Sequence, residues 1–251
     1  MTLEFVILLV SAFLTATLSG IVGMGGGILL LAILFSFLPH GAAIPIHAIV
    51  QIASNSTRVL AFAGHADRQA IGRFAIGALP GSIVGTLLLW SFGRLGEAEP
   101  YLKIVVGLYV LVAPYVRLAG PKADADQTWG FTLIGALAGV MALTVGAVGP
   151  LIAPIFARRD YVKERLIATK ASCQMVTHVI KLPAFALLGT FTLGRLWTYA
   201  LPMALMVIPG TFLGKFLLRY VSASAFRWTY RAALLVAGAK VLVIDGILQL
   251  L

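Results

Sequence analysis

Eight apolar stretches separated by polar breaks run along the chain. They cover roughly Leu3 to Leu38, Ile44 to Ala63, Phe74 to Phe92, Leu102 to Val116, Trp129 to Ala157, Leu166 to Leu188, Leu196 to Leu218 and Trp228 to Leu250. A helix needs about 20 mostly apolar residues to cross a bilayer, and most of these stretches supply that many. The pattern predicts an all-α integral membrane protein. The polar loop from Arg117 to Thr128, with Gly120-Pro121-Lys122 and two aspartates, divides it. Residues 1–118 form a first membrane repeat, 119–128 a polar linker and 129–251 a second repeat.

The polar positions inside the apolar stretches say more. His47, Gln51, Ser54, Asn55 and Arg58 are spaced four, three, one and three apart, so most of them share one face of a helix. The same line returns 123 positions later as Lys170, Gln174, Thr177, His178 and Lys181, with Phe62 matched by Phe185. Gly72-Arg73-Phe74 recurs as Gly194-Arg195-Leu196, and Pro80-Gly81-Ser82-Ile83-Val84-Gly85 as Pro209-Gly210-Thr211-Phe212-Leu213-Gly214. Three matches in one order predict an internal duplication into four segments plus four, as in two-fold transporters.

The first segment of each repeat is broken. Ser19-Gly20-Ile21-Val22-Gly23-Met24-Gly25-Gly26-Gly27 lies inside a stretch of 36 residues, and Gly146-Ala147-Val148-Gly149-Pro150 lies at the matching place. Glycine and proline are the poorest helix formers, so two shapes follow: a long kinked helix, or a re-entrant hairpin. Counting basic residues favours the hairpin. Eight simple spans place ten basic residues on one side and five on the other; two hairpins place twelve against three. The larger bias is the one expected of a cytoplasmic face. Hairpins leave three spans per repeat, so the repeats are expected to be inverted. Either arrangement puts both termini on the outer side. Met-Thr-Leu-Glu lacks the basic start of a secretory signal, so the first segment is expected to remain.

Composition agrees. Of 251 residues 60% are hydrophobic and 11% charged, whereas a soluble domain is about 25% charged. The net charge of +10 fits the positive-inside rule, and its scatter between apolar spans argues against nucleic-acid binding. The single cysteine, Cys173, excludes an internal disulfide and a CxxC centre, and no metal site or cofactor is expected. The sequence holds no carboxylate pair or activated nucleophile at motif spacing, so an enzyme is not expected.

Arg58 and Lys181 sit deep in their segments at equivalent positions, where a charge costs at least ~2.5–3.5 kcal/mol. No Asp or Glu lies deep in any span. Buried cations without protein anions call for an anionic ligand. The expected binding set is therefore Arg58 and Lys181 for charge, Lys170 and His178 as further cationic groups, and Gln51, Ser54, Asn55, Gln174 and Thr177 as neutral donors. Gly25, Gly26, Gly27 and Gly149 would open helix N-termini toward the anion. Lys240, near a segment end, is expected to snorkel, and Cys173 to pack.

At these residues the sequence resembles the sulfite exporter TauE/SafE family of bacterial membrane transporters. The resemblance rests on Gly20-Ile21-Val22-Gly23-Met24-Gly25-Gly26-Gly27, its weaker echo from Gly146 to Pro154, and the two sets of four segments. It covers nearly the whole chain. Ala147 and Val148 stand where the family pattern has glycines, and Ala168-Thr169-Lys170 with Gln174 to Lys181 looks characteristic of one subgroup. The resemblance implies a multi-pass protein of the inner membrane that carries small sulfur oxyanions or organosulfonates such as sulfite or sulfoacetate. An exporter with the anion at the midplane between the repeats is the leading expectation. The alternatives are an anion channel, or a proton-coupled importer with His47 or His178 as the proton site. A homodimer is left open.

Overall fold

In the computed structural model the described residues are 2–22, 26–62, 64–91, 95–112, 129–149, 151–152, 155, 163–189, 194, 196–217, 220, 232, 235–236 and 238–250. Eight helices can be traced among them: α1 (Leu3–Val22), α2 (Gly26–Phe35), α3 (His40–Ala61), α4 (Arg68–Ser91), α5 (Leu95–Val112), α6 (Trp129–Thr144), α7 (Lys163–Leu187) and α8 (Leu201–Leu217). A π-turn at Leu196–Ala200 leads into α8, and another at Lys240–Ile244 lies against α5. No strand occurs among the described residues. Three stretches are long and apolar enough to cross a membrane: Leu3–Gly20, Arg68–Ser91 and Trp197–Leu217. Their outward faces carry large apolar side chains such as Ile76, Trp90, Leu205 and Phe212, suited to hydrocarbon rather than water.

Both broken segments double back. After α1 the chain returns along it, with Gly26 pressed against the Thr15 carbonyl and Ser19. The ten residues of α2 are almost wholly buried, unlike the outward-facing α1. After α6 the chain turns at Gly146, whose φ of +89° suits glycine, and Ile155 comes back beside Gly130. Much of that second arm, including Pro150, lies outside the described residues, as do Gly23 to Gly25 and the linker.

Glycines set the closest helix pairs. On α4, Gly77, Gly81 and Gly85 repeat at every fourth position, and a methyl on Gly77 or Gly81 would strike the Thr132 or Ala136 carbonyl of α6. Gly135 and Gly139 on α6 meet Phe74 and Ala78 in the same way. The seam between α1 and α8 is built alike: Gly20 faces Thr211 and Gly214, and Gly210 faces the Phe13 carbonyl. In lipid, where apolar side chains gain little by leaving the solvent, such backbone contact is what joins helices. α3 and α7 pack on each other between these two couples.

At its N-terminus α3 receives help from α5: the His40 backbone N–H donates to Glu99 Oε1 at 3.3 Å. α4 is capped by Asp67, whose Oδ1 accepts from the Ala70 N–H at 3.0 Å. Asp67 also pairs with Arg165 at 2.7 Å, and its N–H donates to Thr169 Oγ1 at 2.9 Å, fixing α7 against α4. Lys240 does not simply reach for headgroups; its ammonium pairs with Asp245 at 3.0 Å. Cys173 is fully buried in the apolar cluster of α4, α6 and α7.

Candidate anion site

A pocket with about 370 Å³ of empty space, counting its open mouth, lies between α3 and α7 at the two chain breaks. Its walls are built twice over. From the first break come Ser19, Gly27 and Ile28, and from the second Ala147, Val148 and Gly149. α3 contributes His47, Gln51 and Arg58; α7 contributes Gln174 and His178. The two glutamines occupy matching places. A Cβ on Gly27 would lie 3.1 Å from Gln51 Oε1, and one on Gly149 would lie 3.1 Å from Gln174 Nε2. Each glycine therefore leaves room for an amide from the helix opposite.

Arg58 is 8% exposed and anchored within its own helix. One terminal N–H group donates to Asn55 Oδ1 and the other to Ser54 Oγ, both at 3.0 Å, using the i−3 and i−4 neighbours that the 3.6-residue period places beside it. Its Nε has no partner among the described residues. Lys170, 2% exposed, has an ammonium equally without a partner and lies within range of the Arg58 charge. Asn55 Nδ2 is also unpaired. Among the described residues no carboxylate reaches Arg58, Lys170 or Lys181; the nearby Asp67 is held by Arg165 and the start of α4.

Lys181 is arranged differently. Its ammonium donates to the Gly146 carbonyl and to His178 Nδ1, the latter at 3.1 Å. An ammonium can only donate, so His178 Nδ1 is an acceptor and its N–H is on Nε2. His47 Nε2 lies 2.8 Å from the Gly27 carbonyl; a carbonyl only accepts, so that nitrogen carries the proton. The two imidazoles stand edge to face with centroids 5.4 Å apart.

Of the expected residues, Arg58, Gln51, Gln174, His178, Gly27 and Gly149 meet at the pocket. Ser54 and Asn55 stand behind it, holding Arg58. Thr177 spends its hydroxyl on the Gln174 carbonyl at 2.8 Å. Gly26 begins α2 but does not line the cavity, nor do Lys170 and Lys181, and Gly25 lies outside the described residues. His47, Ser19, Ile28, Ala147 and Val148 are lining residues absent from the expected binding set. The signal for His47 was its place one turn before Gln51 on the same face; for Ser19, its place beside the glycine run.

Fold and pocket together define a helical membrane protein with a partly open pocket that carries the Arg58 guanidinium. The chain belongs to the sulfite exporter TauE/SafE family, whose defining pattern matches residues 8–241, nearly its whole length. That is a family of membrane transporters for sulfite-type anions. No curated protein and no solved structure matches the chain.

Proposed function

We propose that the protein is a carrier that exports a small sulfur oxyanion, sulfite or an organosulfonate of the sulfoacetate class, across the bacterial inner membrane. The observation that carries this reading is the Arg58 guanidinium in a pocket whose other polar groups are neutral amides, imidazoles and a hydroxyl. A buried donor left unpaired costs about 1–3 kcal/mol, more if charged, and an oxyanion offers the acceptors that Arg58 lacks. Gln51 and Gln174 then orient the anion from opposite sides, and the N-terminus of α2 adds the positive end of a helix dipole. Lys170 raises the potential around Arg58, while Lys181 holds the Gly146 turn and His178 in place.

The same reading takes the two repeats as inverted halves around this site. Support comes from the helix partners: α1 lies on α8 and α4 on α6, a pairing that exchanges when the first and second repeats are exchanged, while α3 and α7 pair with each other. Export follows from energetics, because an inside-negative potential drives an anion outward by about 2.3 kcal/mol per charge per 100 mV. The termini are then on the outer side.

Efflux of sulfite from proteoliposomes tests the assignment. Wild type should show saturable efflux with counterflow exchange, which a channel lacks. Losing a buried charged partner costs about 2–5 kcal/mol, so Arg58→Ala should slow efflux at least about thirtyfold. Efflux unchanged in Arg58→Ala would sink the reading.

A further inference from the structure

The pocket contains one acceptor that an anion site has no use for. His47 is 1% exposed and lines the cavity, and its Nε2–H is committed to the Gly27 carbonyl. In the neutral ring Nδ1 is therefore a bare lone pair, and it is buried without a partner among the described residues. An oxyanion brings only lone pairs of its own. Beside an unprotonated Nδ1 it meets repulsion; beside Nδ1–H it gains a charge-assisted hydrogen bond.

We infer that His47 is a proton-binding site coupled to the anion: each anion enters the pocket together with one proton, held at Nδ1. This rests on the proposed anion site. The proton count is the same for both chemical forms of ligand. An anion that carries an acidic O–H donates it to Nδ1, and one that carries none requires Nδ1–H. In either case the occupied pocket holds the anion plus one proton, and no bond other than that to the proton is made or broken.

The surroundings of His47 make the coupling tight. Facing it from α7 are the neutral His178 ring and the Lys181 ammonium, and Arg58 lines the same cavity from its own helix. The described part of α2 brings no titratable side chain. Glu99 and Lys103 face His40 rather than His47. A proton on His47 thus adds positive charge beside existing cations, and the anion is what offsets it. His178 cannot serve in the same way, because its Nδ1 already accepts from Lys181.

Calorimetric titration of the purified protein at pH 8, in buffers of different ionisation enthalpy, counts protons taken up per anion. Methanesulfonate, which has no proton to give, is the probe; sulfite is the comparison. Wild type should take up about one proton per methanesulfonate bound, with affinity falling about tenfold per pH unit as pH rises. His47→Gln, whose amide can still donate to the Gly27 carbonyl, should take up no proton for each anion it binds and show a flat pH profile. His178→Gln, though weaker in binding, should keep about one proton per bound anion. Binding by wild type without proton uptake overturns the inference and leaves the anion site standing. Uptake that survives in His47→Gln, or vanishes only in His178→Gln, overturns it too. If wild type binds neither anion, the anion site itself has failed. The wild-type proton count needs no variant to fold.

Discussion

Two glycines and two glutamines define the geometry of the pocket more sharply than its charges do. Gly27 and Gly149 stand where any side chain would meet the amide from the opposite helix. An added methyl at 3.1 Å must push that amide back by a few tenths of an ångström, which the flexible side chain can allow. Gly27→Ala and Gly149→Ala are therefore expected to fold with stability within about 0.5 kcal/mol of wild type. The displaced amide should raise the KM for anion efflux about three- to tenfold, equivalent to ~0.7–1.4 kcal/mol of lost orientation. Transport kinetics beside thermal unfolding check this; an unchanged KM defeats it. The charges at this scale were only half legible in the sequence. That Arg58 and Lys181 are buried could be read from their depth in apolar segments. That Lys181 would be satisfied by the Gly146 carbonyl could not, because that contact exists only once α6 has turned back beside α7.

At the scale of elements, propensity showed that the glycine runs break their segments, since no helix runs comfortably through Gly20 to Gly27. It left a kink and a hairpin both open, and only the count of basic residues leaned toward the hairpin. Which helices pair was not legible. Apolar faces look alike to hydropathy, and in lipid the choice of partner is made by small residues spaced four apart on surfaces far apart in sequence. The α4–α6 seam offers a direct test. On α4, Gly81 lies against the Ala136 carbonyl, whereas Gly72 has open space around its would-be Cβ. Gly81→Val should separate the two helices and abolish the stable folded protein, read as lost monodispersity in detergent. Gly72→Ala should be neutral or stabilising by up to about 1 kcal/mol, as expected of alanine in a helix. A Gly81→Val protein as stable as wild type would show that the seam does not hold the couple together.

For the whole molecule, composition and the glycine run sufficed to reach the membrane class and the family. They left the coupling of charge to transport to be argued from the site. Sulfite leaving with one proton still carries net negative charge, so its efflux should quicken when a potassium diffusion potential makes vesicle interiors negative and slow when the potential is reversed. Efflux indifferent to the potential would mean that a further cation travels with the anion. The helix couples also set the order of assembly. The α4–α6 seam can close soon after α6 is made, but the Gly20 face of α1 waits for Gly210 and Gly214 near the far end of the chain. At a synthesis rate of about 5–20 residues per second, that is roughly ten to forty seconds during which this face of the first helix lies uncovered in the bilayer. It is then the part of the newborn protein longest open to chaperones and membrane proteases.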